Sequence, residues 1–218
     1  MVTIAPELDG GLAAIRQLVA AGIVVAIGHT DATWATTRAA IDAGATVATH
    51  LFNAMPALQH REPGPVGALL RDPRVTVELI ADTVHLHPDV LALALSSAGA
   101  DRVALVTDAM AAAGEQDGHF RLGSLDVDVV DGIARIAGGG ALAGSTLTMD
   151  RALRHCVFDA GWTLDDTVRT MSATPARALG LSDRGLLAPG RRADIVMLDD
   201  DLCVRGVMLA GEWVVEVA

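Results

Sequence analysis

"IVVAIGHTDATWATTRAAIDAGATVATH", residues 23–50, decides the fold. An apolar, β-branched run closes on His29. "DATWATTRAAIDAG" (31–44) then takes helical spacing, with Asp31 as the expected N-cap and Gly44 as the stop. "TVATH" (46–50) closes on His50. Two apolar strands joined by a helix predict a parallel pair covered on both faces. Both strands deliver the same chemistry-bearing side chain at the same end.

The alternation extends in both directions. "VTIA" (2–5) and "GGLAAIRQLVAAG" (10–22) precede the pair; "VTVELIAD" (75–82), "PDVLALALSSAG" (88–99) and "RVALVTD" (102–108) follow it. Strand after strand ends in a reactive group: "IGH", "ATH", "IAD" with "TVH" just beyond, and "VTD". A (β/α)8 barrel gathers its chemistry at the C-terminal ends of its strands. A doubly wound sheet relies instead on a Gly-rich phosphate turn after its first strand. No GxGxxG or GxxxxGK[ST] stands in such a place, and "AGGGALAGS" (137–145) follows a hairpin. The fold class expected is therefore α/β, a (β/α)8 TIM-barrel type, incomplete. Strand-like segments at 2–5, 23–28, 46–50, 75–81 and 102–107 make five of the eight.

Beyond Asp108 the texture changes. "FRLGSLDVDVVDGIARIAGGG" (120–140) alternates with period two around Asp131-Gly132, a hairpin signal. Helices are expected at roughly 147–160 and 164–180, and short β segments from about 186. The domain division expected is a partial barrel over 1–185, with an inserted hairpin at about 119–138, and a C-terminal β segment over 186–218. A five-stranded remnant leaves apolar sheet edges unpaired, which predicts poor solubility or self-association.

The chain has 218 residues, 51% of them hydrophobic but 3% aromatic with no Tyr, so its core is built from Ala, Val, Leu and Ile. A formal charge of -11 argues against a nucleic-acid surface. Cys156 and Cys203 are isolated, with no CxxC, and read as reduced thiols of a cytoplasmic protein. No apolar run approaches the ~18 residues of a membrane span. The opening "MVTIAPELDGG" has no basic leader and reads as a strand from Val2.

Neutral imidazoles on rigid strands are natural ligands for zinc or a similar ion. A lone histidine ending a strand is more often structural. Two at equivalent positions, with Asp108 at a third strand end, point to a metal site with Asp108 as general base, its alternative being a helix N-cap. Asn53, Arg61 and His85 fall on loops at the same rim, and Asp82 ends a strand. Taken singly, Asn53–Pro56 is an ordinary turn and Arg61-Glu62 an exposed ion pair. Together they suggest an anion or sugar contact, with Arg suited to phosphate. Glu7, in "IAPE", is a tempting third metal ligand. His60, His87, His119 and His155 have no comparable placement.

"TIAPE", "GHTDAT", "THLFNAMP", "REPGPVGALL", "IADTVHLHPD", "LVTDAM", "LAGSTLTM", "ATPARALGL" and "GLLAPGRRADIVMLD" run in order from residue 2 to about 214. Together they resemble the N-acetylglucosamine-6-phosphate deacetylases of the amidohydrolase superfamily. The resemblance implies a metal-dependent barrel with a small β-sandwich built from both chain ends, working as a homodimer. His29 and His50 match metal ligands, for zinc first, with iron, manganese or cobalt as alternatives. Asp108 matches the acid/base of a hydrolysis that releases acetate and glucosamine 6-phosphate through metal-activated water. Asn53, Ala54, Arg61, Asp82, His85, Leu142, Ala143 and Gly144 match substrate-binding positions, with Arg61 reaching across the dimer interface.

One departure goes with this match. The carboxylate metal ligand of the family comes from an upstream "HLEGP"-type segment, and Glu7 is not that residue. The chain is accordingly expected to be the C-terminal portion of such an enzyme, starting at an internal methionine and by itself weakly active or inactive. The alternatives are another amidohydrolase acting on a cyclic amide, and a non-catalytic remnant.

Overall fold

The computed structural model describes residues 1–215. Strands β1 (Val2–Ile4), β2 (Val25–Ile27), β3 (Val47–Ala48), β4 (Thr76–Ile80) and β5 (Val103–Val106) form one parallel sheet in sequence order. Val2 lies opposite Val25, Ala26 opposite Val47, and Ala48 opposite Val77. Helices α1 (Gly11–Ala20), α2 (Trp34–Asp42), α3 (Gly64–Arg71) and α4 (Pro88–Ala98) connect these strands in turn. This is the βα order expected for five strands of a (β/α)8 type fold. Ile15, Val25, Ile27, Val47, Leu51, Val77 and Leu79 are almost wholly buried, which is why the strands read as unbroken apolar runs.

Strands β6 (Gly118–Leu122), β7 (Leu125–Val130) and β8 (Ile133–Ile136) make a separate antiparallel meander. Its buried side chains are Val127, Val129 and Ala134, packed with Met110, Ala112 and Ala143. Helices α5 (Met149–Arg154), α6 (Leu164–Met171) and α7 (Ala173–Ala178) follow, and β9 (Ile195–Leu198), β10 (Val204–Leu209) and β11 (Glu212–Val215) close a third sheet. The last residues of the expected "VVEV" segment, from 216 on, lie outside the described residues.

The chain divides into two compact units. One comprises Met1–Leu79, Leu93–Ala104 and Val168–Arg192; the other comprises Ile80–Ala92, Leu105–Thr167 and Ala193–Ala218.

Five local expectations need correction. Helix α2 is capped by Thr33, whose hydroxyl accepts from the Thr36 amide (3.2 Å), and not by Asp31. Helix α3 was hidden by the Pro and Gly of "REPGPVGALL"; Pro65 sits in its first turn, where its missing N–H costs nothing. The hairpin region is a three-stranded meander, with a further tight turn between Leu122 and Leu125. The expected helix at 164–180 breaks at Ser172, since Pro175 cannot bond back to the Met171 carbonyl. The helix expected to run to 160 ends as a π-helical turn, His155–Asp159.

Candidate active site

The reactive residues follow directly on the sheet strands, and there the backbone is strained. His29 (φ 39°), His50 (φ 27°), Phe52 (φ 78°), Ala54 (φ 50°), Thr83 (φ 64°) and Asp108 (φ 51°) all take left-handed conformations. Such backbone costs about 1–3 kcal/mol per residue and persists only where surroundings enforce it.

In the first unit, the His29 and His50 Nε2 atoms stand 2.8 Å apart, with the rings stacked at 4.8 Å between centroids. The two strand ends come this close because Gly28 lacks a Cβ, which would meet the Thr49 Cβ at 2.6 Å. His50 is buried, while His29 is exposed. Glu7 grips the loop behind His29: Oε2 accepts from the Thr30 hydroxyl (2.5 Å) and Oε1 from the Asp31 amide (2.7 Å). Burial pushes the Glu7 carboxyl up, but these donors outweigh it and leave it below its usual range. The buried Thr30 also donates its amide to the Ala54 carbonyl (3.0 Å), tying the His29 loop to the loop behind His50.

Asn53 turns inward on its own loop, its Nδ2 donating to the carbonyls of His50 (3.2 Å) and Leu51 (3.4 Å). Arg61 is exposed. Glu62 is spent on backbone: its Oε1 accepts from the amides of Trp34 (2.8 Å) and Gly64 (3.1 Å), joining the starts of α2 and α3. Glu78, a β4 carboxylate that the sequence did not single out, accepts weakly from the His50 amide (3.4 Å).

In the second unit, Asp82 and His85 form a dyad. Asp82 Oδ2 lies 2.6 Å from His85 Nδ1, and its Oδ1 accepts from the amides of Val84 (2.9 Å) and His85 (2.7 Å). Both side chains are largely buried. Burial pushes the Asp82 carboxyl up, yet the His85 side chain and amides hold it below its usual range. In the neutral ring, a carboxylate facing Nδ1 favours the proton there and leaves Nε2 as an acceptor. Asp82, His85, Leu142, Gly144 and Ser145 line one cleft, so four of the expected substrate positions are brought together.

Asp108 presents an exposed side chain on a fixed backbone. Its carbonyl accepts from the Ser145 amide (2.8 Å), Ser145 donates its hydroxyl to the Thr107 carbonyl, and Ala109 bridges Ser145 in parallel. Gly144, at φ 65°, permits the approach, since a Cβ there would meet the Asp108 carbonyl oxygen at 2.9 Å. Ala143 is buried beneath. Ser145 carries this zipper, and nothing in its sequence context beyond the "LAGST" loop marked it.

Two imidazole Nε2 atoms converging from adjacent strands are donors suited to zinc or a related divalent ion. Among the described residues, no group of three or more His, Cys, Asp or Glu side chains that could hold a metal ion is found. Both Glu7 oxygens accept hydrogen bonds from the loop that follows His29. No helix among the described residues is long and apolar enough to cross a membrane.

A parallel sheet of alternating βα order whose strands are followed by chemistry-bearing side chains is the arrangement of a (β/α)8 barrel type fold. The amidohydrolase family model matches residues 2–214, and the chain belongs to that family. The superfamily generally uses a divalent metal. The chain is 46% identical over 213 residues to the N-acetylgalactosamine-6-phosphate deacetylase of Escherichia coli O157:H7, covering 97% of this chain and 56% of that one. It is 39% identical over 210 residues to the N-acetylglucosamine-6-phosphate deacetylase of Lysinibacillus sphaericus, covering 96% and 54%. An aspartate-to-alanine variant of the N-acetyl-D-glucosamine-6-phosphate deacetylase of Mycobacterium smegmatis, solved with its sugar phosphate, matches with TM-score 0.95 and 57% identity. That match covers 99% of this chain and 57% of the solved one. The chain thus spans little more than half the length of these relatives.

Proposed function

We propose that this chain carries the C-terminal share of a sugar-phosphate deacetylase, which hydrolyses N-acetylglucosamine 6-phosphate to glucosamine 6-phosphate and acetate. The observation that carries the reading is the match to the Mycobacterium smegmatis enzyme, solved with that sugar phosphate, over 99% of this chain. His29 and His50 would hold a divalent ion, zinc before iron, manganese or cobalt, together with donors beyond the pair. The ion, when bound, would activate water and polarise the acetamide carbonyl.

The chain's own residues then have definite tasks. Asp108 takes a proton from the attacking water and returns it to the amine nitrogen as the C–N bond breaks. His85 Nε2, fixed as an acceptor by Asp82, receives a sugar hydroxyl. Asn53, Ala54 and the Leu142, Ala143 and Gly144 segment line the sugar. Arg61, which is exposed, meets the phosphate of a second subunit in a homodimer. The division at residue 185/186 assigns β9–β11 to the small sandwich domain. A cytoplasmic location fits a phosphorylated intracellular substrate. Alone, the chain releases little acetate, because it supplies two metal donors.

A second reading replaces the substrate by its C4 epimer, and the 46% identity to the Escherichia coli galactosamine enzyme favours it. Grafting this chain in place of the matching part of the Mycobacterium smegmatis enzyme tests both. The chimera is expected to deacetylate N-acetylglucosamine 6-phosphate in preference to the epimer, the unphosphorylated sugar and a cyclic amide. A folded, metal-loaded chimera that prefers the cyclic amide would overturn the proposal, and preference for the epimer would install the second reading.

A further inference from the structure

We infer that Glu7 is a positioning residue for the His29–His50 pair, acting through Thr30 rather than as a metal ligand. Its two carboxylate oxygens take the Thr30 hydroxyl (2.5 Å) and the Asp31 amide (2.7 Å), the two residues that immediately follow His29. Thr30 is buried, and its hydroxyl also accepts from the Ala32 amide (3.0 Å), so its rotamer is fixed from both sides. Its own amide donates to the Ala54 carbonyl (3.0 Å), in the loop behind His50. A continuous chain of hydrogen bonds therefore runs from Glu7 through Thr30 to Ala54 and couples the two histidine loops.

That coupling answers a physical need. His29, His50 and Ala54 all have left-handed backbone, which relaxes unless something holds it. Gly28 permits the close approach of the strand ends but cannot enforce it. Glu7 follows the end of β1, which pairs directly with β2, the strand that delivers His29. The carboxylate is thus anchored on the neighbouring strand and clamps the loop sideways. Partners that hydrogen-bond a ligating imidazole directly set its orientation, and their loss typically weakens metal binding ~10–100-fold; Glu7 acts one step back, on the loop that carries the ring.

The inference uses the metal-ligand reading only for its consequence in affinity; the clamp itself is tested without metal. In the histidine-labelled 218-residue chain, Glu7→Ala is expected to shift and broaden the imidazole signals of both His29 and His50. The His85 signals, from the second unit, should stay in place and show that the chain is folded. Thr30→Val is expected to act like Glu7→Ala, Thr30→Ser to restore the original signals, and Glu7→Gln, which keeps one acceptor, to fall between. In a zinc titration, Glu7→Ala should lower the affinity ~10–100-fold. Unchanged His29 and His50 signals in Glu7→Ala would overturn the inference. Absence of zinc binding in the unaltered chain, with the signal shifts intact, would instead refute the ligand reading and leave the clamp standing.

Discussion

Two clusters in the first unit use the same kinds of side chain to opposite ends. At the histidine rim, the backbone is left-handed at His29, His50 and Ala54, and two ring nitrogens face one another at 2.8 Å. At Asp72, just after α3, every group is matched. Its carboxylate takes Arg38 (2.5 Å) and a two-pronged contact from Arg74 (2.9 and 2.7 Å), and Arg74 also reaches Asp42 (2.8 Å). Arg102 donates to the carbonyls of Leu70, Asp72 and Val75, closing the end of α3. The Asp72 backbone is ordinary extended chain. Strain and facing nitrogens suit a place that binds, whereas full satisfaction without strain suits one that holds the fold.

The contrast can be broken from either side. The largest effect is expected at the other strained strand end, in the second unit: Asp108→Asn in the chimera should lower kcat ~100–10,000-fold while leaving the thermal midpoint and substrate binding unchanged. At the knot, Asp72→Ala strands Arg38 and Arg74 and should cost about 2–3 kcal/mol in urea unfolding, given partners that are partly exposed. Gly28→Ala belongs to both worlds. Its Cβ meets Thr49 at 2.6 Å, so it should cost about 1–3 kcal/mol and also move the His29 and His50 ring signals.

Acid sharpens the difference further. Hydrogen bonding from the Arg74 side chain holds the Asp72 carboxyl far below its ordinary 3.8, against the opposing effect of burial and with help from the Arg74 and Arg38 charges. A depressed folded value means that this stability is complete above the unfolded value and is lost as pH falls through the folded one. Unfolding free energy should therefore drop more steeply below pH ~4 in the native chain than in Asp72→Asn. The smallest effect concerns the thiols. Burial pushes Cys156 up to about 12, so at mildly alkaline pH a thiol reagent should label the half-exposed Cys203 and leave Cys156 intact until the chain unfolds.

The strands and most helices were legible because a two-sided parallel sheet demands unbroken apolar runs such as Ile23–Ile27, and those survive in any context. The strand-end residues were legible for the same reason: a histidine or aspartate closing such a run stands out against its apolar neighbours. Helix α3 was not, since Pro63, Gly64 and Pro65 signal a loop until one knows that Val66, Leu69 and Leu70 have a core to enter. Glu7 could be seen as tempting, but its partners lie 23 and 24 residues away, and no local pattern reveals such a contact. Ser145 was missed likewise, because its zipper to Thr107 and Asp108 forms only in the folded chain. The left-handed backbone at His29, His50 and Asp108 is uncommon for any residue with a Cβ, although His and Asp tolerate it better than most, and no local pattern announces it.

The claim that Asp108 works at the end of β5 as the acid/base of a sugar-phosphate deacetylase has one direct test. The chimera and its Asp108→Asn form are loaded with zinc, given N-acetylglucosamine 6-phosphate, and assayed for both bound sugar and released acetate. The expected result is equal binding, with acetate released by the chimera and almost none by the Asp108→Asn form. Equal acetate release by the two proteins would contradict the account.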